Sequence, residues 1–234
     1  MGILKITVSK MLWLSALLTL SASATERWQD VLSQMPLEPT VRQLNRTNCV
    51  EVMLKSFQSN QVLKALIFMP GATDEFYMFR RAKADLSNSA PSLLDAVAAL
   101  TNQTFIRATI RPPLLLLHTE EDQLEPVIRI EHQPTLQKLE QRRLLPHAVF
   151  NDRDWEFLQP LLGKRLKTHI EPWRYSYDSW HFYRASLAAY DLSGPETLEA
   201  IVLACKATVK VRRNELVFEP DMRIHAAPIE KAIH

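Results

Sequence analysis

Glycine is nearly missing from this chain. The 234 residues include four, Gly2, Gly71, Gly163 and Gly194, and no two stand close together. Phosphate-cradling loops, dinucleotide-binding turns and nucleophile elbows all need clustered glycines for tight turns and close backbone approach. None can be built here, which removes the commonest nucleotide-binding and hydrolase designs. Cysteine is as scarce: Cys49 and Cys205 allow one disulfide at most. Excess charge is lacking too. The net charge is +2 with no basic stripe, which argues against a nucleic-acid partner. Low-complexity tracts are absent.

What remains is ordinary globular material, 47% hydrophobic and 23% charged, enough for one core or two small ones. The first residues read as an export signal. Lys5 and Lys10 precede an apolar run, Met11 to Leu20, and Ala22-Ser23-Ala24 forms a small-residue cleavage site. The mature chain is then expected to begin near Thr25, periplasmic or secreted. The apolar run is short for a bilayer-spanning helix, so no stable membrane span is expected after cleavage.

The stretch Asp74 to Thr104 is written a second time. Shifted by 104 residues it lies without gaps on Asp178 to Thr208, pairing Asp74 with Asp178, Arg80 with Arg184, Ser89 with Ser193, Pro91 with Pro195 and Leu94 with Leu198. Such a repeat bears on architecture before chemistry. Apolar spacing predicts helices over Glu26–Met35, Cys49–Phe57, a segment opening at Ser89 and Pro91, and Gly194–Lys206. Strands are expected at Val62–Met69, Glu75–Leu86, Phe105–Ile110, Leu114–His118, Thr208–Val211 and Glu215–Glu219. Ser193 and Glu196 fit a capping box.

These elements predict an α+β fold of two pseudo-repeated α-β-β-α-β-β units, with mixed sheets and helices packed mainly on one face. The expected divisions are a signal peptide (1–24), an N-terminal helix and lead-in (25–47), unit one (48–118), a linker with an edge strand and a polar helix (119–153), unit two (154–219) and a tail (220–234).

The segment Lys83 to Leu117 carries a small-residue turn, then Leu93, Ala96, Val97, Leu100, Gln103 and Thr104 in an L-x-x-A/V-L-x-x-L helix pattern, with valine in place of the inner leucine, that ends at Gln-Thr before two strands. It resembles the short βαβ domain at the N-terminus of secretins and TonB-dependent receptors. The family's usual glycine after the helix is replaced by Phe105. The resemblance implies a periplasmic interaction module without catalytic residues.

Few residues suggest chemistry. His118, Glu120, Glu121 and Asp122 follow a strand end, but they lack helical zinc-site spacing and a glycine-bearing calcium loop. Arg80 and Arg184 lie in apolar strands and need partners; an antiparallel pairing of the long strands would bring them toward Asp178 and Asp74. A ligand carboxylate or phosphate is the other use for them. Trp173, Tyr175 and Trp180 form an aromatic run suited to core packing or to stacking on a sugar or peptide. No catalytic residue, metal or cofactor is assigned. The sequence reads as a binding or assembly module with a protein or envelope-glycan partner. A secreted hydrolase or metal-dependent enzyme, with its site near His118 or between the units, is the alternative.

Overall fold

The computed structural model describes residues 28–60, 62–69, 83–119, 124–141, 143–145, 147–153, 155–171 and 185–221. After a helical segment at 28–33, the first arm runs β1 (Gln43–Leu44), α1 (Cys49–Ser56), β2 (Ala65–Phe68), β3 (Ala84–Asp85), α2 (Leu93–Gln103), β4 (Arg107–Arg111) and β5 (Leu114–His118). A middle stretch follows with β6 (Val127–Ile130), α3 (Gln133–Glu140) and β7 (Arg143–Leu145). The second arm runs β8 (Ala148–Arg153), α4 (Trp155–Leu166), β9 (His169–Ile170), β10 (Ala185–Ala189), β11 (Leu192–Ser193), α5 (Gly194–Cys205), β12 (Ala207–Arg212) and β13 (Glu215–Pro220).

The fold is α+β, with two main mixed sheets. One has five strands in the order β4-β5-β2-β10-β8, and the other has four in the order β6-β12-β13-β9. Side chains alternate across a strand, so β2 and β5 feed two cores. Leu66, Phe68, Leu115 and Leu117 face the 28–33 helix, α1 and α2. Ala65, Ile67, Leu114 and Leu116 face α4, α5 and the second sheet. The five-stranded sheet therefore carries helices on both faces, which corrects the expectation of helices mainly on one. An aliphatic run such as LLLL suits a strand covered on both sides. The four-stranded sheet keeps the expected arrangement: Val209, Val211, Leu216 and Phe218 face the helices, while Lys210, Arg212, Glu215 and Glu219 lie on the other face.

Helix α5 lies between the sheets, and Leu198, Ala200, Ile201, Val202, Leu203 and Cys205 are all buried. A helix apolar all round belongs inside a core. Its start is fixed by a capping box, in which Ser193 Oγ accepts from Glu196 N–H and the Glu196 carboxylate accepts from Ser193 N–H. Helix α2 starts the same way at Ser92, with Asp95 in the acidic role. Helix α2 thus begins after Pro91 rather than with it.

The second arm has eight elements to the first arm's seven, since β10 has no described counterpart, but the two are alike in part. In each, a hairpin (β4–β5 or β12–β13) lies beside the strand that follows the arm's first helix, in the parallel sense. The register agrees as well, with Ala65 opposite Leu114 and His169 opposite Glu215. The spacing is not the uniform 104 residues read from the sequence. From Ala65 to His169 it is 104, but the capping serines Ser92 and Ser193 are 101 apart, as are the hairpin turns. Three residues is close to one helical turn, so the ungapped match still aligned the buried stripes.

The stretch read as a linker is largely built into the fold. β6 is an edge strand, as expected, but α3 buries Thr135, Leu136 and Leu139, and β8 is a full strand of the five-stranded sheet. The strand expected over Glu75–Leu86 is described only at its end, as β3.

Candidate functional site

Arg80, Arg184, Trp173, Tyr175 and Trp180 lie outside the described residues, as do Asp74, Asp178, Glu120, Glu121 and Asp122. The structure does place His118. It is 2% exposed, opposite Arg107 in the β4–β5 hairpin, and its Nε2 is 2.8 Å from Thr109 Oγ1. A ring at this depth with a hydroxyl partner reads as a polar member of the strand ladder. Among the described residues no group of three or more His, Cys, Asp or Glu is placed to hold a metal ion.

Cys49 and Cys205 do not form a disulfide. Cys49 belongs to the core beneath α1 and α2, and Cys205 to the core between the sheets. The five-stranded sheet separates them, so the pairing left open by the sequence is corrected. Burial pushes the Cys49 thiol up to about 12.

Polar side chains near the arm junction are engaged with one another. Lys64, just before β2, pairs with Glu196 of α5 at 3.3 Å, and Arg111 of β4 pairs with Glu199 at 3.2 Å. Tyr190, just after β10, donates its hydroxyl to the Phe57 carbonyl at 2.9 Å and stacks on His147 at 4.5 Å. Burial pushes the Glu196 carboxyl up, but the hydrogen bonds from Ser193 and the nearby Lys64 ammonium outweigh it and hold the group below the usual carboxylate range. On the far face of the four-stranded sheet Lys210 pairs with Glu219 at 2.5 Å, and Arg212 lies 3.0 Å from Glu131.

The feature missed in the sequence is a sheet margin. β4 borders the five-stranded sheet, and no described strand pairs with its outer side. The corner leading into it is tied by Thr104, whose hydroxyl donates to the Leu100 carbonyl and accepts from Ile106 N–H. That corner buries Ile106 and turns Phe105 outward, 47% exposed. Ala108 and Ile110 are half-buried against the α1–α2 core. Arg111 is held by the Leu124 carbonyl at 2.8 Å as well as by Glu199. In the other sheet, β12 occupies the position that β4 occupies here, and β6 flanks it in parallel, from Val127 opposite Thr208 to Ile130 opposite Val211. The sequence signal that could have revealed this is the exposed aromatic directly after a helix-ending threonine.

Comparison with known protein families, with curated proteins and with solved structures finds no match. No described helix is long and apolar enough to cross a membrane.

Proposed function

We propose that this protein is an exported, non-catalytic binding or assembly module built from two diverged copies of one unit. The observation that carries the reading is how its sheets are completed. Each arm has a three-stranded core, β4-β5-β2 or β12-β13-β9, and each core is extended by a strand from outside it: β10 adds to β2, and β6 adds to β12. Joining separate segments by backbone pairing is a mode of assembly that needs no catalytic group. The early lysines, the apolar run and the Ala-Ser-Ala site support export. The partner is an envelope protein or glycan.

The test is made in the producing cell. The chain is recovered from the exported fraction, its N-terminus is read by mass spectrometry, and its partner is trapped with photo-crosslinking residues at Phe105 and Trp173. The expected result is a chain starting near Thr25 with one discrete adduct, to a protein or to peptidoglycan. A chain that keeps Met1 and stays in the cytosol would overturn the export reading. Exported chain that yields no adduct would overturn the binding reading.

A further inference from the structure

We propose that the outer edge of β4 is a docking site for an extended peptide of a partner protein. The peptide adds as a parallel strand with aliphatic residues at alternate positions. This rests on the binding-module reading and gives it a surface and a ligand chemistry.

The chain itself shows what such an edge accepts. β12 and β4 are equivalent in strand order and register, and the outer side of β12 is occupied by Val127-Ile128-Arg129-Ile130. Ile128 and Ile130 lie beside Val209 and Val211, whose side chains face the core. Ala108 and Ile110 stand at the corresponding points of β4, half-buried against their core, and no described strand pairs beyond them. Aliphatic residues of an added strand would cover them, and Phe105 would be covered at the entry.

An edge strand turns the N–H and C=O of every second residue outward, and natural sheets blunt such edges with lysine, proline or a bulge. β4, RATIR, contains no lysine or proline, and its pairing with β5 runs without a register shift from Arg107 to Arg111. Its two charges, Arg107 and Arg111, are both positive. Arg111 is already engaged by Glu199 and the Leu124 carbonyl, so the edge offers an added strand aliphatic cover and backbone pairing rather than a call for counter-charge. The same charges disfavour a second copy. Pairing β4 with itself about a twofold at Thr109 would set Arg107 of each copy against Arg111 of the other.

The probe is a synthetic peptide, Pro-Val-Ile-Glu-Ile-Glu, which is residues 126–131 of the chain with glutamate in place of Arg129. It is titrated into isotope-labelled exported chain. Amide shifts should concentrate on Phe105 to Arg111, and a scrambled peptide should bind at least tenfold more weakly. Ala108→Pro removes one N–H from the strand, and Ile110→Lys keeps the backbone while placing a cation on the edge. Each should weaken binding at least tenfold. The Lys variant should melt like the parent, so that lost binding is not lost folding. Shifts on another surface, or binding indifferent to both variants, would overturn the edge site while leaving the module reading to its own test. A dimer dissolved by Ile110→Lys would assign the edge to a second copy and overturn the proposal as well.

Discussion

Among the described residues, four that carry side chains hold backbone that glycine would hold without steric cost: Lys167, Asp191, Lys206 and Asn214, with φ from 47° to 58°. A chain so short of glycine uses Lys, Asp and Asn at its left-handed positions instead. Lys167 is exposed and closes α4, so it tests the strain cleanly. Lys167→Gly should stabilise the protein by about 0.5–1 kcal/mol in denaturant titrations, the relief of strain exceeding the added freedom of the unfolded chain. The Cys49 thiol, raised to about 12 and sealed in a core, should not react with a thiol reagent at neutral pH until the protein unfolds. Glu196 gives a pH signature. Its carboxyl is depressed in the folded state, so its contribution is present above the unfolded value and fades as pH falls through the folded one. Glu196→Gln should therefore cost stability at neutral pH, and the gap from the parent should close below about pH 4.3.

At the scale of elements, caps and packing set different magnitudes. Ser193→Ala removes the α5 cap and should cost about 1 kcal/mol. Ile201→Ala, in the middle of a helix enclosed by two sheets, should cost about 2–5 kcal/mol, because the surroundings cannot collapse into the void. Gly194 begins α5 where a Cβ would overlap the Leu139 carbonyl and lie 2.7 Å from Leu139 Cβ. Gly194→Ala should push α3 off α5 and lower the midpoint of thermal unfolding. These elements also show how far a sequence can be read. Cys49–Ser56 and Ala65–Phe68 follow directly from their apolar spacing, and the Ser193 box from its S-x-x-E pattern. Ser92 was hidden because aspartate replaces glutamate in its box and Ser89 and Pro91 offered a competing start. β8, AVFNDR, has a mixed pattern whose strand character comes from β10 alongside it, a partner distant in sequence. The β4 edge was illegible for a related reason: whether a strand lies at a margin depends on which other strands pair with it.

For the whole molecule, the described residues form layers in the order helices, sheet, helices, sheet. Leu114 and Leu116 of β5 present an apolar face to the second arm, while the matching positions of β13 hold Glu215 and Val217, with Glu215 near His169 and Glu219 paired to Lys210. Charge thus takes the place of leucine on the outer face of the second sheet, although Val217 between the two glutamates is itself buried. The arms are nonetheless not independent. β10 belongs to the second arm by sequence and to the first sheet by pairing, from Ser186 opposite Phe68 to Ala189 opposite Ala65. Unfolding either arm alone would strip Ala65, Ile67, Leu114 and Leu116 of cover and leave a sheet edge unpaired. One cooperative transition is therefore expected. Trp28 reports the core beneath α1 and α2, and Trp155, with its ring 4.7 Å from Phe218, reports the core between the sheets. Variants that keep only one of the chain's five tryptophans, Trp28 or Trp155, should give coincident fluorescence transitions in denaturant. Separate midpoints would show that the shared strand does not couple the arms, and the cores would then be two folding units joined only by the chain.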